Sequence, residues 1–509
     1  MAQPSKIKVT YNEHPIGKVT HTQKEIVAKE YVFPKRIHNI YVDTLSGYIT
    51  IKLRKLSKNG KVLDISGVVL VFDPLTKTVK WDKKMEFTST DIQPYQNFMT
   101  ETSGNKLIAL NIENGDKRWT IKNDLYYIDQ QQNIGIGYKY LGLTGNLHTL
   151  EGINLSTGET LWEKELNRSY GWNKIMTLND STLLIAASGL HTLNLNTGSG
   201  WDYTTVTGKK DYTETIAKNA VGVTLGVLTG TFITTSGNNL VRDVVSNVIL
   251  DSSYLYIASK ETVSKLHKDS GQLLWTHPLS EDLTSTSFLV LRDQMLCMVN
   301  TGYAYMGGKR IDFGRPFLLG LDPETGDQRY TTLISEVNDP INDVKIEHDT
   351  VVITFKNRIT KYNLRDGTEL LSKPINTEDL GELRSFAGDR LYTKIDDTSF
   401  RPLQLVDTTT YYIHTTGSKI LAIDTHFNVT QVFDYDQLYY QYGQLNPFKL
   451  LVKDGQTFLL DEQNNERAIL NISHHTLSNG STLYNYNDQS LRIIDLSPLL
   501  DADPAHVDF

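Results

Sequence analysis

Along most of this chain hydrophobic and polar positions alternate with a period of two, the period of strands half buried in a sheet. The stretch from Gly152 to Trp162, G-I-N-L-S-T-G-E-T-L-W, shows the unit most clearly. Ile153 and Leu155 alternate with polar neighbours. Ser156-Thr157-Gly158 then supplies a turn in which glycine takes a positive φ without steric cost. Thr160, Leu161 and Trp162 start a returning strand whose indole can bury a large apolar area. The phrase recurs. Aligned on the polar residue at the Asn154 position, copies centre on Asp73, Asn111, Asn194, His267, Asp322 and Asn363, and faded copies without the glycine centre on Asp424 and Asp461. The aromatic that follows is Trp81, Trp119, Trp162, Trp201, Trp275 or Tyr330, and Gly158, Gly198, Gly271 and Gly326 mark the fullest turns. Most anchors lie about forty residues apart, which is one four-stranded antiparallel sheet with its turns, and a fixed period of that size predicts a β-propeller.

Further strand phrases stand upstream of the anchors, such as Leu183 to Ala187 and Leu255-Tyr256-Ile257-Ala258. A strand of this kind, followed by Asp or Asn, a Thr-Gly turn and a Trp, resembles the repeat of the pyrroloquinoline-quinone-type propellers. The likeness covers roughly residues 60 to 470. That superfamily includes the quinoprotein alcohol dehydrogenases and, without cofactor, the propeller lipoprotein of the bacterial outer-membrane β-barrel assembly machine. The resemblance implies that the repeated Trp residues dock on the neighbouring blade and that strands from the two chain ends pair to close the ring. It is specific for fold and nearly silent about chemistry. The expectation is an all-β chain, a single propeller of eight four-stranded blades, with seven as the alternative.

Residues 1–36 show no clear turn rhythm and read as an N-terminal arm, extended or loosely packed; residues 37–500 read as the propeller, and residues 501–509 as an acidic tail. The long interval between Asn194 and His267 holds either a decayed blade or an insertion, and the expectation favours an insertion at residues 206–239. There Gly222, Gly226 and Gly230 are spaced either for one close-packing helix face or for glycine kinks in Val- and Thr-rich strands.

Composition narrows the function classes. A formal charge of −8 gives a nucleic-acid partner no support. The single cysteine, Cys297, excludes an intrachain disulfide and a thiolate metal cage, and its neighbours Leu296 and Met298 mark it as a buried strand residue. The start lacks the apolar core of a secretory signal, so the protein is cytoplasmic as the sequence stands, or periplasmic or lipid-anchored if a leader has been removed. The apolar stretch from Asn219 to Val241 is too interrupted for a bilayer span.

No catalytic motif emerges. Active quinoproteins of this fold commonly use a Ca²⁺ ion, an Asp base and a disulfide between adjacent cysteines; this chain cannot form that disulfide, and no Asp or Glu matches the family's metal and base positions. His474 and His475 would point to opposite faces of a strand. Asn133 to Gly137 reads as a loop and lacks the third glycine of a dinucleotide site. Asp339 to Asp349 lacks the order of a calcium loop. No cofactor is expected.

The reading that remains is a non-catalytic scaffold that binds a protein partner through its loops, rather than a small molecule. An envelope assembly factor, a toxin-neutralising immunity protein and a phage structural component all fit. The alternative of a different class is a quinone- or metal-dependent oxidoreductase. Aromatic-rich stretches are the candidate contacts, with cross-strand packing within a blade as the alternative for both: Tyr303, Tyr305 and Arg310 in a segment longer than the period allows, and Tyr435, Tyr439, Tyr440 and Tyr442 in a segment chosen for aromatic density alone. Binding is expected where the repeat is broken or faded, at residues 206–239, 303–315 and 434–447.

Overall fold

In the computed structural model the opening stretch lies in a sheet of Asn123–Asp129, Ile134–Lys139, Thr149–Asn154 and Thr160–Glu165, hydrogen-bonded in that order. The structure describes residues 5, 7–57, 63–87, 90–95, 98–103, 106–140, 148–166, 174–187, 189–204, 209–210, 240–241, 246–280, 283–292, 294–306, 309–336, 339–387, 390–403 and 410–500. The fold is all-β, built of the four-stranded antiparallel blades of a β-propeller. Among the described residues there are eight separate four-stranded sheets, and an eleven-stranded sheet that holds two further meanders.

The anchor residue works through its side chain. Asn154 Oδ1 accepts the backbone N–H groups of Ser156 at 2.9 Å and Thr157 at 3.3 Å, closing the turn that leads to Gly158. Asp73, Asn194 and Asp322 accept two N–H groups in the same way. Where the anchor is His267, the ring Nδ1 takes the N–H of Asp269 at 3.3 Å.

The returning strand carries one extra residue. Gly152 faces Trp162 and Ile153 faces Thr160, so Leu161 is left over as a bulge. Arg118, Leu274, Arg329 and Leu370 occupy the same place elsewhere. The bulge re-aims the chain, turning the aromatic inward and the extra residue outward: Trp162 is 8% exposed and Leu161 44%.

Each inward aromatic then docks on a turn from the next repeat. Trp162 Nε1–H donates to the carbonyl of Leu195 at 2.7 Å, and its ring lies against Gly198, where a Cβ would come within 2.5 Å of the indole. Trp81 pairs likewise with Ile112 and Gly115, Trp201 with Lys268 and Gly271, and Trp275 with Pro323 and Gly326. Tyr330 reaches Leu364 through its hydroxyl at 2.6 Å and lies against Gly367. Trp119 is buried, and Gly158 stands in the turn at φ 78°.

The chain divides into two compact units, one of Met1–Asp124, Ala387–Val406 and Phe433–Phe509, the other of Leu125–Phe386 and Asp407–Val432. In the first, the segment read as an arm forms a hairpin of Thr10–Val19 and Glu25–Val32. Gly17 to Val19 pair with Ala468 to Leu470, and Lys29 to Val32 with Ser490 to Ile493, so strands from the two chain ends share one sheet. Strict alternation drives this: Ile26 and Ala28 are buried with Leu470, Leu483 and Ile494, while Glu25, Val27 and Lys29 face solvent. In the second unit, the stretch from Asn133 is a turn residue at φ 58° followed by the strand Ile134–Lys139, not a loop; a Cβ at Gly135 would meet the side chains of Leu125 and Leu155. The span from Asp339 likewise contains the strand Asp343–Glu347. The described chain ends in the short helix Ser497–Leu500, and the acidic tail lies outside the described residues.

Candidate interaction platform

In a four-stranded meander the turns joining strands one to two and three to four lie at one end, and the turn joining two to three lies at the other, together with the link to the next sheet. The Thr-Gly turns therefore share an end. Two departures from the repeat share the opposite one. The strands Tyr303–Met306 and Lys309–Asp312 form a hairpin inserted between the second strand, Met295–Asn300, and the third, Phe317–Leu321, of their sheet. Residues 205–248 form the link between a completed sheet ending in Asp202–Thr204 and one beginning at Ile249–Leu250. Most of the expected insertion at residues 206–239 lies outside the described residues. Its described part, Lys209–Lys210, pairs with Leu240–Val241, and the latter strand lies beside Tyr303–Met306. Of residues 206–239 only Lys209–Lys210 are described, and it is their pairing partner Leu240–Val241 that lies beside the Tyr303 segment.

The hairpin is mounted rigidly. Arg310 stacks over the Tyr303 ring, 3.9 Å from its centre, and donates from Nη2 to the Ile341 carbonyl at 2.6 Å. Tyr305 pairs with Arg310 across the hairpin. Ala304 is fully buried, with Ile311 and Phe313 packed against it. Below, Asn300 donates its amide to the carbonyls of Leu283 and Arg315 at 2.9 and 2.7 Å and accepts the N–H of Ser285 at 2.8 Å. Thr301 donates to the Thr286 carbonyl at 2.8 Å. Thr284, Ser285, Asn300 and Thr301 are completely buried. A buried polar layer this well satisfied fixes one geometry, because every alternative strands a polar group. Above it Lys309, Arg310 and Asp312 are exposed.

The third segment behaves differently. Tyr435–Gln437 is a single 3-10 turn, and Tyr435 and Tyr440 are 46% and 39% exposed. Tyr439 is buried edge-on against Phe400 and Phe458, with ring centres 4.8 and 5.0 Å away, and Tyr442 packs on the core and bonds the Thr457 hydroxyl at 3.1 Å. The cause is a hairpin of Leu391–Lys394 and Phe400–Pro402 whose first strand pairs with Tyr439 and Tyr440 and brings Phe400 over the ring. Tyr439 and Tyr442 therefore pack within the fold, Tyr439 buried and Tyr442 half-buried, while Tyr435 and Tyr440 are the exposed rings of the segment. Nothing near them in sequence announces that hairpin, since Ser399 and Phe400 lie some forty residues upstream.

His474 and His475 also depart from expectation. They precede the strand Thr476–Asn479 instead of lying in it, and their ring centres are 4.3 Å apart, with His475 stacked on Tyr486. Burial, with His474 beside it, pulls the His475 ring below the usual imidazole range. Among the described residues no group of three or more His, Cys, Asp or Glu is placed to hold a metal ion. An open cleft of about 360 Å³ beside the N-terminal hairpin includes Lys18, Glu25, Gln456 and Glu466 in its walls. The buried Glu466 accepts from the Thr20 hydroxyl at 3.0 Å through Oε1, while its buried Oε2 has no hydrogen-bond partner and faces Lys394 Nζ at 3.8 Å.

Comparison with known proteins bears on the family. The sequence profile described as outer membrane protein assembly factor BamB matches residues 59–236 and 148–426. Among solved structures, BamB from Moraxella catarrhalis is similar at 14% identity, covering 75% of this chain and 95% of its own, with a TM-score of 0.32. The Pan2 WD40 domain of Neurospora crassa shares 10% identity over 74% of this chain and 89% of its own, with a TM-score of 0.31. The computationally designed Ika8 protein shares 12% identity over 79% and 97%, with a TM-score of 0.28. Among curated protein sequences none matches the chain.

Proposed function

This chain belongs to the family of the outer membrane protein assembly factor BamB, and from that premise we propose that it is a non-catalytic scaffold that binds a protein partner through one end of its blades. The observation that carries the proposal is the meeting of the two departures from the repeat, the hairpin Tyr303–Asp312 and the stem of the insertion, on the end opposite the Thr-Gly turns. Repeated turns serve packing and leave little freedom for recognition. Segments outside the repeat, held on a rigid base, are where recognition resides. Exposed Arg310 with the Tyr303 ring offers the guanidinium and aromatic groups that protein interfaces favour. Of the contexts that fit a scaffold, the family favours an envelope assembly factor.

Photo-crosslinking side chains placed at Lys309 and at Asp312 test this, with Thr157 on the Thr-Gly end as control. One partner band from the first two sites and none from Thr157 is expected. Equal labelling from both ends, or labelling from Thr157 alone, would overturn the assignment of the platform. Stoichiometric uptake of pyrroloquinoline quinone with Ca²⁺, read by absorbance, would replace the scaffold with an oxidoreductase.

A further inference from the structure

The cleft beside the N-terminal hairpin gathers its charged groups on one face of one sheet. Lys18 stands opposite Ile469 on one side and Glu25 on the other, and residues paired across a ladder show their side chains on the same face. Glu466 joins them through a bulge. Ile469 pairs with Phe458 and Glu466 with Leu460, so Arg467 is the extra residue, and the slip turns Glu466 onto the face of Ile469 instead of the opposite one. An acid is thereby placed where the fold gives it too few donors. Glu466 is 3% exposed; Oε1 accepts from the Thr20 hydroxyl at 3.0 Å, while the buried Oε2 has no hydrogen bond and Lys394 Nζ stands 3.8 Å away. A buried carboxylate oxygen without a donor is a rare exception, and a ligand is one way to complete it. Lys18 and Glu25 are exposed, and among the described residues neither side chain makes an ion pair or a hydrogen bond. The charged walls are thus one cation and two carboxylates, each with capacity to spare.

We infer that this cleft binds a free basic α-amino acid, with a guanidinium side chain preferred. Its carboxylate would pair with Lys18 and its α-ammonium with Glu25, while its methylenes lie along Ile469. The guanidinium would take Glu466 with two parallel hydrogen bonds, one to the oxygen that Thr20 now holds and one to the oxygen that nothing holds, the Thr20 hydroxyl giving way by rotation about one bond. Charge argues for this occupant. A ligand with one net positive charge answers walls with one net negative charge, whereas an acidic amino acid would repel both carboxylates and a bare metal ion would be repelled by Lys18. The volume of about 360 Å³ falls in the range of small-molecule sites. The site uses the N-terminal hairpin and the strands beside it, so it stands or falls apart from the scaffold reading.

Titration calorimetry of the full chain with L-arginine tests this, with melting temperature and hydrogen exchange in parallel. Saturable binding, a raised melting temperature and slowed exchange at residues 15–25 and 466–471 are expected. Glu466→Gln should weaken binding at least about tenfold. Lys18→Gln, at an exposed position, should keep the melting temperature of the free protein and weaken L-arginine by at least about tenfold, yet leave the affinity for agmatine, which lacks the carboxylate, unchanged. Gly-Gly-Arg, whose arginine has no free α-ammonium, should bind more weakly than L-arginine. Absence of saturable binding, equal binding of L-arginine by Lys18→Gln and the unaltered chain, or L-glutamate bound as tightly as L-arginine would overturn the site. Tighter binding of Gly-Gly-Arg would overturn the free amino acid in favour of a peptide end.

Discussion

Trp162 concentrates at one residue the physical chemistry that repeats through the chain. Its ring fills the space beside Gly198 and its N–H satisfies the Leu195 carbonyl, so truncation removes both packing and a buried hydrogen bond. Trp162→Ala should cost about 3–5 kcal/mol by urea unfolding, and Trp162→Phe about 1–3 kcal/mol, since the ring is largely replaced but the carbonyl is left unpaired. Gly198 carries two constraints, a positive φ of 71° and the indole against its Cα; Gly455, at φ 77° with open space around it, carries only the first. Cys297 lies 1% exposed, its Sγ 3.1 Å from the Leu364 carbonyl, and burial pushes its thiol up to about 11. An unfolded cysteine ionises near pH ~8.5, so the folded chain keeps a proton that the unfolded chain has lost. The associated stability is complete below that pH and declines as pH rises toward about 11. Urea unfolding free energy should therefore fall over this window, and fall less steeply in Cys297→Ala, the difference approaching ~1.4 kcal/mol per pH unit.

At the scale of elements, local spacing and burial part company most clearly in the strand Tyr439–Leu445. Tyr439 and Tyr440 are adjacent and chemically identical, yet one packs beneath Phe400 and the other faces solvent. Tyr439→Ala should cost about 3–5 kcal/mol, as for a buried aromatic, while Tyr440→Ala should stay within about 0.5 kcal/mol. Thermal unfolding of the two single variants measures this, and equal losses would refute the described packing. The bulge before most of the docking aromatics is the complementary case. One extra residue, Leu161 or Leu274, is exposed so that the Trp after it can turn inward. Period-two patterning foresees strands but has no means of marking such a slip, because a bulge interrupts the alternation on which the pattern depends.

At the scale of the whole molecule, the chain ends meet in one sheet, and the N-terminal hairpin belongs to the core rather than hanging from it. Ala28 is fully buried among Leu470, Leu483 and Ile494. Ala28→Asp should destabilise by at least about 3 kcal/mol, since an unpaired carboxylate would enter apolar surroundings, whereas the same change at exposed Val27 should be far milder. Comparison of the two variants by circular dichroism melting checks that the hairpin is integral.

By itself the sequence determined the strands, the forty-residue unit, the turn chemistry of Asn154 and its counterparts, and the places where the repeat fails. Each of these rests on interactions between residues a few positions apart, and such interactions are written in local order. Tertiary structure alone decided which carbonyl each indole meets, that Tyr439 is covered from residue 400, that His474 and His475 lie ring to ring, and that the hairpin at Tyr303 stands beside the stem of the insertion. These are contacts between segments distant in the chain, and their partners are chosen by topology and by what remains unburied once the blades have formed.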